Sequence, residues 1–310
     1  MKFPQAIPVR ELAQRFDLSI IGDADLVATG INEIRKVEAG DITFSDVKKY
    51  FKKSIQSAAT VILLNEPAEC PPGKVLLIGD DPFAVYNQLI LEHRPLHYKS
   101  EAIHKSALIH PSAIIEPGVV IGPHVRIGQY SHIMANVVIE EYSIIGDHVT
   151  IQPGSIIGSD AFYYKRGAEG HQKWRSGGRG IIEDRVEIGA LNTINKGVSG
   201  DTVIGEGSKF DCQVHIGHGA VIGKHCLIAA QVAVGGKSII GDRCVLYGQV
   251  GVVHTITIGP DTTVLAKSCV TRSIEGGKTY NGTPVVEATL RNRQILALRK
   301  LPELLRRWKG

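Results

Sequence analysis

Hydrophobic positions in this chain follow two different rules. From about residue 99 they recur every sixth place: Ile103, Ile109, Ile115, Ile121, Ile127, Ile133, Ile139, Ile145, Ile151 and Ile157 form one unbroken column. The column resumes at Ile182, Ile188 and Ile194, then shifts phase and runs from Ile204 through Phe210, Ile216, Ile222, Ile228, Val234, Ile240, Leu246, Val252, Ile258 and Val264 to Val270. A period of six is neither the strand period nor the helix period. One such unit has no partner for its apolar side, so the units stack into a solenoid whose coils share an interior. Gly often follows the column, as at Gly205, Gly217, Gly223, Gly235, Gly241 and Gly259, and marks tight corners where a Cβ would be in the way. The pattern therefore predicts a mainly β fold with a parallel β-helix over residues 99–281. Insertions in a solenoid become loops on one face, often the binding face. The interruption at 159–179 is thus expected to cover a site.

Residues 1–98 carry no such column and read as a separate α/β module. Residues 9–16 predict a short helix, and 59–64 and 74–78 predict buried strands. Asp81-Pro82 supplies an N-cap and a first-turn Pro, followed by Phe83, Tyr86 and Ile90 on one helical face. Residues 93–100 read as a linker. After Gly282-Thr-Pro284 a helical period takes over in the extension 282–310, with Leu290, Ala297, Leu301, Leu305 and Trp308 on one face. Pro302 is expected to kink or divide that helix.

The chain has 310 residues, 43% of them hydrophobic, and a net charge of only +4, which predicts no nucleic-acid partner. The excess is concentrated at the end, where residues 285–310 hold five Arg and two Lys against Glu287 and Glu303. This tail reads either as a solvated basic cap or as a dock for an acidic partner. The five Cys are odd in number, and neither a leader nor a membrane-spanning run is evident, so a soluble, cytoplasmic protein with reduced thiols is expected. Cys226 and Cys244, three hexads apart, are expected to stack as small apolar fillers.

Candidate chemistry is sparse. No Ser-nucleophile motif, P-loop or Rossmann glycine pattern occurs in a fitting context. His215, His218 and His225 are spaced three and seven apart. The zinc-holding hexapeptide solenoids, such as the gamma-class carbonic anhydrases, show a His pair five apart, so no metal is expected. Phe44 and Tyr50, in a polar, basic run, suit either a core or a base-stacking surface with phosphates nearby. His218 lies two places after the inward Ile216, beside a Gly corner. Its imidazole can act as a general base oriented by Asp211, and it reads equally well as a corner histidine without chemistry.

At these residues the chain resembles the UDP-3-O-acylglucosamine N-acyltransferase family of lipid A biosynthesis. The likeness runs through Ala39-Gly-Asp-Ile-Thr-Phe44 and Tyr50, the hexads, Arg185-Val-Glu-Ile-Gly-Ala190, Asp201-Thr-Val-Ile-Gly205, Val214-His-Ile-Gly-His218, Gly282-Thr-Pro284 and the closing helix. It implies a left-handed parallel β-helix, a homotrimer with active sites between subunits, and transfer of a 3-hydroxyacyl chain from acyl carrier protein to the 2-amino group of a UDP-3-O-acylglucosamine. No cofactor beyond the carrier's phosphopantetheine is implied. By position, His218 is the implied base and Asp211 the acidic residue before it; Phe44 and Tyr50 hold the uracil. Backbone N–H groups of Ala230 and Gln231 are the implied oxyanion donors. Arg272 is the implied contact to the phosphopantetheine or its carrier; apart from the resemblance, the basic tail read as a dock offers Arg291 and Arg293 as further carrier contacts. The chain departs from the family pattern at Val47, at Thr255 beside His254, and at Asn195-Lys196. Two alternatives therefore stay open: an acetyl-CoA-dependent or other acyl transferase acting on a different UDP-amino sugar, and a solenoid scaffold without chemistry.

Overall fold

A computed structural model describes residues 1–96, 99–167 and 170–308. The expected linker at 93–100 includes residues 97 and 98, which lie outside the described residues. The chain divides into two compact units: Met1–Tyr98 with Asp160–Arg179 and Gly197–Asp201, and Lys99–Ser159 with Gly180–Lys196 and Thr202–Gly310. Of the insertion at 159–179, read from the sequence as a loop of the solenoid, Asp160–Arg179 thus clusters with the N-terminal unit.

In the first unit the chain runs through β1 (Lys2–Pro8), α1 (Val9–Arg15), β2 (Ser19–Gly22), β3 (Val27–Ile31), β4 (Asp41–Ser45), α2 (Phe51–Ile55), β5 (Val61–Leu64), β6 (Val75–Ile78) and α3 (Pro82–His93). The sheet order is β1-β3-β4-β5-β6-β2. Its four central strands are parallel and its two edge strands antiparallel. Every residue of β5 is buried, which is why its sequence is an unbroken apolar run: parallel central strands are covered on both faces. Val61 and Leu63 face one core with Tyr86, Leu89 and Ile90, and Ile62 and Leu64 face the other with Phe51. Helix α3 starts where its cap predicts, with Asp81 Oδ1 accepting from Ala84 N at 3.1 Å.

The second unit is a parallel β-helix of very short strands stacked into sheets of eight, ten and eight strands. One coil takes eighteen residues in the regular part, so Ile204 pairs with Ile222 and Ile222 with Ile240. The hexad column forms a continuous buried core. The corner glycines do not sit at the left-handed positions; those fall two residues later and are held mostly by larger residues such as Gln213, His225, Gln231 and Lys237, with φ near +60°. The glycines answer to stacking instead. A Cβ on Gly205 would come within 2.6 Å of the Gly223 backbone, and one on Gly241 within 2.5 Å of Pro260 N. Cys226 and Cys244 are free, buried thiols on successive coils, as read from the sequence.

The chain ends in α4 (Ala288–Trp308), a single helix that passes through Pro302 without being divided. None of its residues is buried, and Leu290, Leu301, Leu305 and Trp308 face solvent. No helix among the described residues is long and apolar enough to cross a membrane.

Candidate functional site

The strand His215–Ile216 pairs in register with Thr193–Ile194 on one side and Ala233–Val234 on the other, and the ladder continues to Gly251–Val252 and Cys269–Val270. Two places beyond each inward residue the chain turns the same corner. Lys196, His218, Gly236, His254 and Arg272 therefore stand in one column, a rung apart, at roughly 4.8 Å per coil.

His218 and Gly236 are the half-buried members of that column, between the buried Lys196 and the exposed His254 and Arg272. The His218 carbonyl accepts from Lys237 N at 2.8 Å, and the Gly236 carbonyl accepts from Thr255 N at 2.9 Å, so the corner is tied rung to rung. The following residue, Gly219, is left-handed (φ +67°) and donates its N–H to the buried Thr202 hydroxyl at 2.7 Å. The imidazole occupies the space that a side chain at 236 would need: a Cβ built there would lie 2.6 Å from His218 Nε2. Gly236 is thus both the space for the ring and a backbone group beside it, and no acceptor meets its N–H among the described residues. One rung below, Lys196 is almost fully buried and pairs with Glu141 at 3.1 Å. This pair is the fate of the Asn195-Lys196 departure, and its partner Glu141 carries no signal in the sequence.

The other expected residues are distributed differently. Asp211 stands at the corner that opens the His215–Ile216 strand while His218 stands at the corner that closes it, and the Asp211 carboxylate accepts from Cys212 N at 2.7 Å. Ala230 and Gln231 share the corner of Asp211. The Gln231 N–H is taken by Cys212 O at 3.1 Å, and its side chain belongs to an amide ladder with Gln213 and Gln249 at 2.9 and 2.7 Å. Gly236, which sequence reasoning missed, is the residue stacked on His218. Arg272 lies in the His218 column and is exposed; Arg293 is exposed on α4, and the Arg291 guanidinium lies against Gly282. His215 points outward from the strand. Desolvation by the surrounding protein lowers its pKa below the ordinary histidine value, although the residue still faces solvent.

In the N-terminal unit the two aromatics have unlike surroundings. Phe44 is partly buried, its ring centroid 4.9 Å from those of both Tyr86 and Trp174 and 5.9 Å from that of Phe83. Tyr50 is 49% exposed, with Lys49 Nζ 4.8 Å from its ring centroid. Nearby, Lys49, Lys52 and Lys53 line a groove of about 500 Å³ with Ile34, Gln56 and Ser57. Among the described residues no cluster of three His, Cys, Asp or Glu side chains is arranged to hold a metal ion.

The bacterial transferase hexapeptide family (six repeats) matches residues 102–133, 124–159 and 201–236. The solenoid is built of hexapeptide repeats. A UDP-3-O-acylglucosamine N-acyltransferase of Methylorubrum extorquens (strain PA1) is 34% identical over 151 residues, covering 49% of this chain and 43% of the relative. The protein of that name in Parvibaculum lavamentivorans is 51% identical over 149 residues, covering 48% and 42%. The chain thus spans less than half the length of the curated relatives it matches. Among solved structures, a UDP-N-acetylglucosamine acyltransferase of Francisella novicida aligns with a TM-score of 0.56 at 26% identity over 60% of this chain and 67% of that one. These relatives bear out the resemblance read from the sequence and the left-handed parallel β-helix that it implies.

Proposed function

We propose that this protein is an N-acyltransferase that moves a 3-hydroxyacyl chain from acyl carrier protein to the 2-amino group of a UDP-3-O-acylglucosamine. The observation that carries the reading is the seating of His218 against Gly236, which sets an imidazole beside a backbone N–H that meets no acceptor among the described residues. The relatives named above supply the acceptor. In this reading the sugar amine attacks the thioester carbonyl and His218 takes the amine proton. Charge collects on the carbonyl oxygen, where the Gly236 N–H donates to it alongside the implied donors at Ala230 and Gln231. The carbon–sulfur bond then breaks, the thiol of the phosphopantetheine leaves with a proton, and the amide remains on the sugar. Phe44 and Tyr50 hold the uracil, Arg272, Arg291 and Arg293 meet the acidic carrier, and a homotrimer in the cytoplasm completes the sites between subunits.

The deciding experiment is an acyl-transfer assay that offers several acyl carrier protein thioesters and acetyl-CoA, with UDP-3-O-acylglucosamine and UDP-N-acetylglucosamine as acceptors. Transfer from the carrier protein to the amine supports the reading, and activity confined to acetyl-CoA replaces it. His218→Ala is expected to lower turnover by about 10² to 10⁴ while UDP-sugar binding and the melting temperature stay near wild type. His215→Ala and His254→Ala are expected to be far milder. Near-normal turnover in His218→Ala removes the base from the mechanism.

A further inference from the structure

The insertion places a side chain on the ring that the nucleotide reading needs. Tyr164–Gly167 and Gly170–Lys173 pair as an antiparallel hairpin, and Trp174 leaves it with its N–H donated to Tyr163 O at 3.0 Å. The indole packs at 4.9 Å from both Phe44 and Tyr163 and edge-on to Phe83 and Tyr86 at 5.4 and 5.7 Å. The backbone on either side is pinned to one residue of α3: Asn87 Nδ2 donates to Lys173 O at 3.2 Å, and Arg175 N donates to Asn87 Oδ1 at 3.0 Å. Lys165 ties the hairpin to the segment between Phe44 and Tyr50 through Asp46 at 2.5 Å. The indole itself is less firmly held, because its Nε1 is buried and meets no acceptor among the described residues.

We propose that Trp174 is the gate of the Phe44 subsite: its indole, tilted at 47° beside the Phe44 ring, fills space that a stacked base would need, and a uracil stacks there only after the indole rotates away. The proposal rests on the nucleotide reading given above. A base stacked on Phe44 and the tilted indole 4.9 Å away cannot both fit beside that ring, and the pinned backbone confines the change to the Trp174 side-chain rotamer. The orphaned indole N–H favours that rotation, since solvent offers it the acceptor that the packed position lacks.

The test titrates the full chain with uridine diphosphate by calorimetry, as wild type, Trp174→Ala and Phe44→Ala. A gate that competes with the strength of one aromatic pair predicts tighter binding in Trp174→Ala, by roughly 2- to 12-fold, and weaker binding in Phe44→Ala. Weaker binding in both variants makes Trp174 a second stacking partner and overturns the gate while the nucleotide reading stands. Unchanged binding in both sinks that reading and the gate with it. A second measurement needs no change at the site. Trp174 and Trp308 are the two tryptophans of the chain, so Trp308→Phe leaves Trp174 as the sole indole reporter. The gate predicts a red shift of its emission as uridine diphosphate saturates the protein, and saturation without a shift overturns it.

Discussion

At the scale of single residues, Gly236 matters by what it lacks. A methyl group there would lie 2.6 Å from His218 Nε2, closer than non-bonded atoms approach, so the ring would have to move. Gly236→Ala is therefore expected to fold and to keep its UDP-sugar affinity. It should lose on the order of 10² in kcat, the size of one misplaced catalytic group or oxyanion donor, in steady-state assays. The sequence carried His218 in a recognisable motif, but Gly236 is three hexads away, and the two meet only because one coil consumes three strands. His215 allows a pH test. Its folded pKa lies below the ordinary value, so the unfolded chain binds the proton more readily. Its contribution to stability is thus complete above the ordinary histidine pKa and is lost as the pH falls below it. Thermal melts should show a shallower decline from pH 7 to 5 in His215→Gln than in wild type.

At the scale of elements, the closing helix and the hairpin were legible to different degrees. The apolar period of residues 288–308 gave the helix, and of the two expectations for Pro302, a kink or a division, the helix shows no division. Proline removes a single backbone hydrogen bond, and an exposed helix can run on through that gap. Its cations, with Arg272 of the solenoid, define the carrier prediction. Reversing the charge at Arg272, Arg291 and Arg293 should raise the apparent KM for acyl carrier protein, and the difference should shrink at high salt, where exposed charges are screened within about 10 Å. An unchanged KM across salt concentrations removes these residues from the dock. The insertion read as a loop covering a site, and its paired strands Tyr164–Gly167 and Gly170–Lys173 were not legible. Its aromatic cluster draws Phe44 from β4, Phe83 and Tyr86 from α3, and Tyr163 and Trp174 from the insertion, and no spacing in the chain announces that meeting.

At the scale of the whole molecule, the solenoid's outward faces differ. On one sheet the outward residues of successive coils are Ile144, Ile181, Val203, Val221 and Ile239. On another they include His132, Thr150, Glu187 and Lys209. A row of aliphatic residues over five coils is more than scattered surface hydrophobicity, and it is the face a neighbouring copy would cover. The proposed homotrimer should therefore appear as a single trimeric species in sedimentation, and Val203→Glu with Val221→Glu should dissociate it while leaving the strand content unchanged by circular dichroism. A stable, active monomer sinks the assembly.

The sequence by itself determined the period, and with it the solenoid, because an interior that repeats every sixth residue leaves no other way to bury the column. It likewise determined the α/β module, whose buried strands and capped helix are local signals, and it singled out His218. Which residues stand beside that histidine was decided only by the tertiary structure. Coil stacking brings together residues eighteen apart and separates Asp211 from His218 by a strand, although the two are only seven apart in the chain. The same holds for Phe44: its motif is local, but whether its ring is open or covered depends on where a distant insertion packs. Burial and close approach are properties of surfaces that meet, and here those surfaces come from parts of the chain that the linear pattern does not connect.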